Sequence, residues 1–133
     1  QIIHCDLKPD NILLNINENK ILDVKIADFG LVIEKNIKKN RNMNYGNFIY
    51  MPPDVGYKNY TLKYDIYSLG IIIFEILEDW ETNMEKFEKI NNFKNGLYKN
   101  KYPLLTLMIS EKEESRPNIL YIKKNINSEI NLD

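Results

Sequence analysis

The sequence predicts a mainly α domain, α+β overall, in which a small β-hairpin packs on a helical body. Three observations carry this. Two short β-branched runs, "NILLN" and "ILDVKIAD", flank the polar "INENK". From Thr61 onward the apolar pattern turns helical. Nowhere do strands alternate with helices in the manner of a parallel βαβ sheet. With 133 residues the chain can build one core, so positions 1–133 are read as a single unit.

Taken in order, the first two runs are strands because alternating branched residues suit a pleated surface, and the polar stretch between them closes a hairpin. Lys35 to Asn47 is polar, basic and nearly without apolar anchors, which makes it a long loop. "LKYDIYSLGIIIFEILED" is apolar around almost its whole circumference, so it is a helix buried within the domain. "TNMEKFEKINNFKNG" spaces Met84, Phe87, Ile90 and Phe93 three apart among lysines and glutamates. That predicts an amphipathic helix closed by Gly96. "YPLLTLMIS" and "PNILYIKKNI" supply two more short helices, the second opening just after Pro117.

Composition removes several classes of function. A formal net charge of -1 gives no electrostatic case for nucleic acid, so none is expected as a partner. The one cysteine excludes an intrachain disulfide and fits a reducing, cytoplasmic setting. With only His4 and Cys5 of their kinds there is no His/Cys metal cage. The apolar run Asp65 to Leu77 is shorter than the roughly 20 residues a membrane span needs. The chain begins at Gln1, with no signal peptide, which reads as a fragment or a processed product.

The chemistry concentrates in "HCDLKPDN". Asp6, Lys8 and Asn11 share one short loop leading into a strand, and "DFG" (Asp28 to Gly30) ends the next strand. A hairpin would bring Asn11 and Asp28 to one end, where an amide and a carboxylate oxygen suit Mg²⁺. Asp6 could accept a proton from an attacking hydroxyl, and Lys8 could neutralise charge on a moving phosphoryl group. Phosphoryl transfer asks mainly for such positioning and charge stabilisation.

"HCDLKPDNILL", "VKIADFG", "GNFIYMPPD", "DIYSLG" and "SRP" occur in the order and spacing of the carboxyl-terminal lobe of protein kinases, which the whole chain resembles. The resemblance implies the family's phosphoryl-transfer roles. Asp6 would be the catalytic base, Lys8 the lysine on the γ-phosphate, and Asn11 and Asp28 the Mg²⁺ ligands. Leu13 would lie beneath the adenine of ATP. Lysine in "DLKPDN" resembles serine/threonine kinases. His4 and Phe29 would belong to a spine of stacked side chains, with Gly30 completing the "DFG" turn. Asp65 would accept backbone hydrogen bonds from the catalytic loop, and Asp54 would pair with Arg116.

Three positions depart from the family pattern. Cys5 stands where arginine is usual, Asn47 where threonine is usual, and "PPD" where "APE" is usual. The missing arginine would grip a phosphate on the activation segment through its guanidinium fork. The segment from Leu31 to Asp54 also holds no serine or threonine, its only hydroxyls being Tyr45 and Tyr50. Grip and acceptor are missing together, so activation by serine/threonine phosphorylation of this segment is not expected. Asp54 is one methylene shorter than the usual glutamate, and a small backbone shift is expected if its pair with Arg116 forms.

"DFGLV" and the "TNMEKFEKINNFKNG" helix followed by "YKNKYP" resemble kinases of the translation initiation factor 2 alpha subunit. In that family this helix docks the substrate, so Lys86, Glu88 and Lys89 are candidate docking residues, as against a merely solvated charged face. The Gly-rich loop, strand lysine and its glutamate partner of the amino-terminal lobe are not among these residues. The chain is therefore read as a partial kinase domain that needs that lobe for its ATP site and is inactive alone. The helix that in the family packs behind the catalytic loop is not among these residues either, and an exposed apolar patch around the central helix is expected to follow. The alternatives are a pseudokinase acting as a binding scaffold and a truncated product without function.

Overall fold

The computed structural model describes residues 2–34, 48–54 and 60–130. The expected loop from Lys35 to Asn47, with Tyr45 and Asn47, lies outside the described residues. In chain order the elements are β1 (Ile2–Ile3), β2 (Ile12–Asn17), β3 (Lys20–Ile26), β4 (Ile33–Glu34), α1 (Lys63–Leu77), α2 (Asn83–Lys94), α3 (Pro103–Met108) and α4 (Ile119–Ile130). Single 3-10 turns form at Pro9–Asn11 and Glu113–Ser115. No helix among the described residues is long and apolar enough to cross a membrane.

The expected hairpin is there. β2 and β3 pair antiparallel from Ile12↔Ile26 to Asn17↔Lys20, around a two-residue turn at Glu18 and Asn19. Both turn residues have positive φ, 48° and 64°, as the favoured two-residue hairpin turn requires. Asn19 tolerates this through its short polar side chain, whereas Glu18 has no such help. A bulge after Asn15 pairs Ile16 with Ile21, so the register absorbs one extra β3 residue. On one face lie Ile12, Leu14 and Ile16 opposite Ile26, Val24 and Ile21. On the other lie Leu13, Asn15 and Asn17 opposite Lys25, Asp23 and Lys20. β1 and β4 form a second, two-residue ladder beside it.

α1 is the centre of the body, as its apolar circumference predicts. Ile71, Ile72 and Phe74 are buried against Phe93 of α2, Leu105 and Met108 of α3, and Ile122 of α4. Phe74 stacks on Phe93 with ring centroids 4.1 Å apart, and Tyr98 and Tyr102 meet it edge-on. Gly70 is what lets α3 come close. A Cβ there would sit 2.9 Å from Ile109 Cγ2 and 3.0 Å from Met108 Cβ. Of the expected apolar patch around α1 a limited part is seen: Ile76 is 75% exposed, and Leu69, Ile73 and Leu77 are only partly buried. Exposed apolar surface also collects on the hairpin, where Leu14, Ile16, Ile21 and Val24 are all more than half exposed.

α2 begins and ends as read from sequence. Thr82 Oγ1 accepts from the Glu85 amide at 3.2 Å, and Glu85 Oε2 accepts from the Glu81 amide at 2.9 Å. At the far end Gly96 has φ +82°, its amide bonds Phe93 O, and the Leu97 amide reaches Asn92 O. The apolar stripe fails, however. Ile90 and Phe93 are buried, but Met84 is 78% exposed and Phe87 46%. A spacing of three falls short of the helical repeat of 3.6, so over nine residues the stripe drifts about half a turn. Met84 and Phe93 therefore face opposite ways. α4 opens one residue later than read, with Asn118 Oδ1 capping the Tyr121 amide at 2.8 Å.

Candidate active site

The loop between β1 and β2 is held by one partly buried carboxylate. Asp65 on α1 accepts from the His4 amide at 2.7 Å through Oδ2 and from the Cys5 amide at 2.9 Å through Oδ1. This is the support role expected of it. Burial pushes its carboxyl above the ordinary aspartate range, and the two amides pull it only part of the way back. The sign for stability follows. The folded protein holds this proton more tightly than the unfolded chain does. Asp65's titration thus adds stability below the ordinary carboxylate range and loses it as pH rises through the folded value. The unfolding free energy of wild type minus that of Asp65→Asn should therefore fall as pH rises above the ordinary aspartate range, about pH 4. Chemical unfolding of the domain measures this, and a difference that rises with pH would refute the assignment.

With the loop fixed, Cys5 takes φ +64°, and its side chain turns inward among Ile3, Tyr64, Leu31, Met51 and Tyr60. It is buried and forms part of a small apolar cluster, so nothing of the usual phosphate grip remains at this position. His4 Nδ1 accepts from the Asp6 amide at 3.3 Å, and its Nε2 lies 2.9 Å from Ala27 O. These contacts join the β1–β2 loop to the end of β3. Phe29 meets the His4 ring edge-on at 5.3 Å. More than half of Phe29 is nevertheless exposed, so it is less a packing residue than expected.

Asp6, Lys8 and Asn11 converge. Asn11 Nδ2 donates to Asp6 O at 2.8 Å and to Asp6 Oδ2 at 3.2 Å, while Lys8 Nζ lies 3.4 Å from the same Oδ2. The 3-10 turn at Pro9–Asn11 makes this reach short, its Asn11 amide bonding Lys8 O at 3.0 Å. The Ala27 amide donates to Asn11 O at 2.8 Å, which extends the hairpin ladder by one step. Asp28 is the next residue, so the hairpin does bring Asn11 and Asp28 to one end. Asp28 is exposed, has φ +59°, and its Oδ1 accepts from the Gly30 amide at 3.3 Å.

The donor set fits Mg²⁺. Asn11 commits its amide nitrogen to Asp6 and leaves its oxygen as acceptor, and Asp28 adds one outward carboxylate. Among the described residues no three His, Cys, Asp or Glu gather into a metal cage. Mg²⁺ is commonly bound through one or two carboxylates together with substrate phosphates. Leu13 lies on the polar face of the hairpin opposite Lys25 and is 53% exposed.

Asp54 and Arg116 pair as expected, Arg116 Nη2 lying 2.8 Å from Asp54 Oδ1. The shorter aspartate manages this with one oxygen, and backbone carbonyls supply the rest. Arg116 is 2% exposed, donates to Ser110 O, Lys63 O and Glu111 O, and lies over the Tyr67 ring.

The three docking candidates separate. Glu88 is exposed. Lys86 is turned into the body, where it pairs with the buried Glu75 and lies over the Trp80 ring. Lys89 pairs with Glu85 at 3.1 Å and donates to Asp79 O. Neither lysine is a free surface charge, which corrects that part of the expectation. The sequence held a signal for this in Glu75, a carboxylate inside the most apolar helix, which must find a partner. Tyr50 meets the same group, its hydroxyl donating to Glu75 Oε2 at 2.6 Å, and burial pushes that hydroxyl strongly upward in pKa.

Comparison with known proteins adds the following. The family model described as "Protein kinase domain" matches residues 1–128. The interferon-induced, double-stranded RNA-activated protein kinase of Mus musculus is 38% identical over 133 residues, covering 94% of this chain and 25% of that protein. Eukaryotic translation initiation factor 2-alpha kinase 3 of Rattus norvegicus is 30% identical over 128 residues, covering 83% of this chain and 11% of that protein. Eukaryotic translation initiation factor 2-alpha kinase 1 of Plasmodium falciparum is 37% identical over 100 residues, covering 74% and 6%. The chain thus spans a quarter or less of the length of these relatives.

Proposed function

The chain belongs to the protein kinase family, and from that premise we propose that the protein transfers the terminal phosphoryl group of ATP to serine or threonine hydroxyls of a protein substrate. One arrangement carries the reading: Asp6, Lys8 and Asn11 bonded together at the end of the hairpin that also presents Asp28. In the transfer, the acceptor oxygen bonds to the γ-phosphorus while the bond to the bridging oxygen breaks and ADP leaves. Asp6 takes the hydroxyl proton, and Lys8 holds positive charge beside the moving group. Asn11 and Asp28 would hold Mg²⁺, which supplies charge neutralisation on the phosphates when bound. Leu13 offers an exposed apolar side chain for the adenine. All four groups that touch the reaction are present, which supports an enzyme over a scaffold.

For the substrate we take the initiation factor 2 alpha subunit, the protein for which two of the relatives are named. Docking would use the outer side of α2, where Met84, Phe87 and Glu88 are exposed. Exchanging Phe87 for Ala and Glu88 for Lys in the full-length protein should raise KM for this subunit about tenfold, with KM for a short acceptor peptide unchanged. Equal changes for both substrates would remove α2 as the docking surface. We propose the cytosol as the setting of the reaction, since a reducing compartment keeps a lone thiol free.

The 133 residues alone are proposed not to transfer phosphate, since they contain no Gly-rich loop or strand lysine. Micromolar Mg-ATP affinity of the isolated chain would refute this. Activation is proposed to proceed without serine/threonine phosphorylation of the Leu31 to Asp54 segment. A large loss of activity in the full-length Tyr45→Phe variant would point to tyrosine phosphorylation instead.

A further inference from the structure

Two lysines of α2 reach residues 49 and 50 by separate routes. Lys94 Nζ donates to Ile49 O at 2.7 Å, from a half-buried position that lowers its pKa. Lys86 Nζ meets Glu75 Oε1, and the other oxygen of Glu75 takes the Tyr50 hydroxyl at 2.6 Å. Ser68 of α1 closes the set by donating to Tyr50 O at 2.8 Å. Eight residues separate the lysines, so on the helix they lie within about a quarter turn of each other. Apolar packing does not do this work at the amino-terminal end of α2. Met84 and Phe87 are exposed there, and Lys86 makes the contact to α1 through Glu75.

The segment these lysines reach has no serine or threonine to carry a phosphate, and Cys5 in the catalytic loop could not grip one. We infer that Lys86 and Lys94 are positioning residues that clamp residues 48–54 to α2, fixing this end of the segment with the chain's own cations. That this is an activation segment rests on the functional reading above. The clamp itself does not, and it can be measured without any activity.

Hydrogen–deuterium exchange on the full-length protein is the test. In Lys94→Met and in Lys86→Met, the amides that 48–54 possesses, those of residues 48–51 and 54, should exchange about tenfold faster, the effect of losing a hydrogen bond to a charged group. Amides at the centre of α1, 69–74, should change less than about twofold, and Lys86→Arg should restore protection. Tyr50→Phe, which alters neither lysine, should also speed exchange at 48–54 while leaving 86–94 protected. Unchanged exchange at 48–54 in both lysine variants would overturn the clamp. So would a uniform rise that includes α1, because that reports global loosening.

Discussion

Asp6→Asn in the full-length protein is expected to lower kcat by about 10²–10⁴-fold, the range for removing a positioned general base. KM for ATP and the thermal midpoint should move little. Asparagine has the same shape and keeps an oxygen for Asn11 Nδ2 and Lys8, the two partners that hold Asp6 in place. What it lacks is the capacity to take a proton from the acceptor hydroxyl. Steady-state transfer of labelled phosphate measures the effect, and a variant within about tenfold of wild type would remove Asp6 from the base role. A wild-type protein that binds ATP yet transfers nothing would favour the scaffold reading.

Arg116→Ala should produce the largest loss of stability, about 3–5 kcal/mol, the range for breaking a buried ion pair from one side. Asp54 would be left without its cation, and three carbonyl groups, of Ser110, Lys63 and Glu111, would lose a donor. Lysine should not rescue it, because a single ammonium cannot aim at four acceptors as the planar guanidinium does. Asp54→Asn should cost less, since Arg116 keeps its three carbonyls. Denaturant unfolding of the domain gives the comparison. An Arg116→Ala variant within about 1 kcal/mol of wild type would mean that these contacts contribute little.

Much of this architecture was legible in the residues, and what escaped did so for physical reasons. The hairpin, the buried α1 and the Thr82 and Gly96 boundaries of α2 are local patterns. The Asp65 support of the loop and the Asp54–Arg116 pair were legible only through family resemblance. The stripe on α2 misled because a repeat of three imitates a helical face over one turn but drifts by about half a turn between Met84 and Phe93. The inward turn of Lys86 and Lys94 was hidden because lysine is ordinarily a surface residue. Only the buried Glu75 hinted at one of them, and nothing in the sequence marks a backbone carbonyl such as that of Ile49 as a destination. The positive φ values at Cys5 and Asp28 likewise come from the ladder and the Asp65 contacts, which lie far away in sequence.

The setting of Cys5 bears on how the sequence can change. Cys5 is buried in a small apolar cluster with Ile3 and Tyr64, against which Leu31, Met51 and Tyr60 pack. An arginine introduced there would bring a guanidinium into an apolar pocket, at a cost of several kcal/mol, and would meet no phosphorylatable serine or threonine in the segment it is meant to read. Restoring phosphate control would thus need a new acceptor, a new grip and a reopened pocket at once. Each change alone is neutral or harmful, which makes the substitution at position 5 a step that single mutations do not readily reverse.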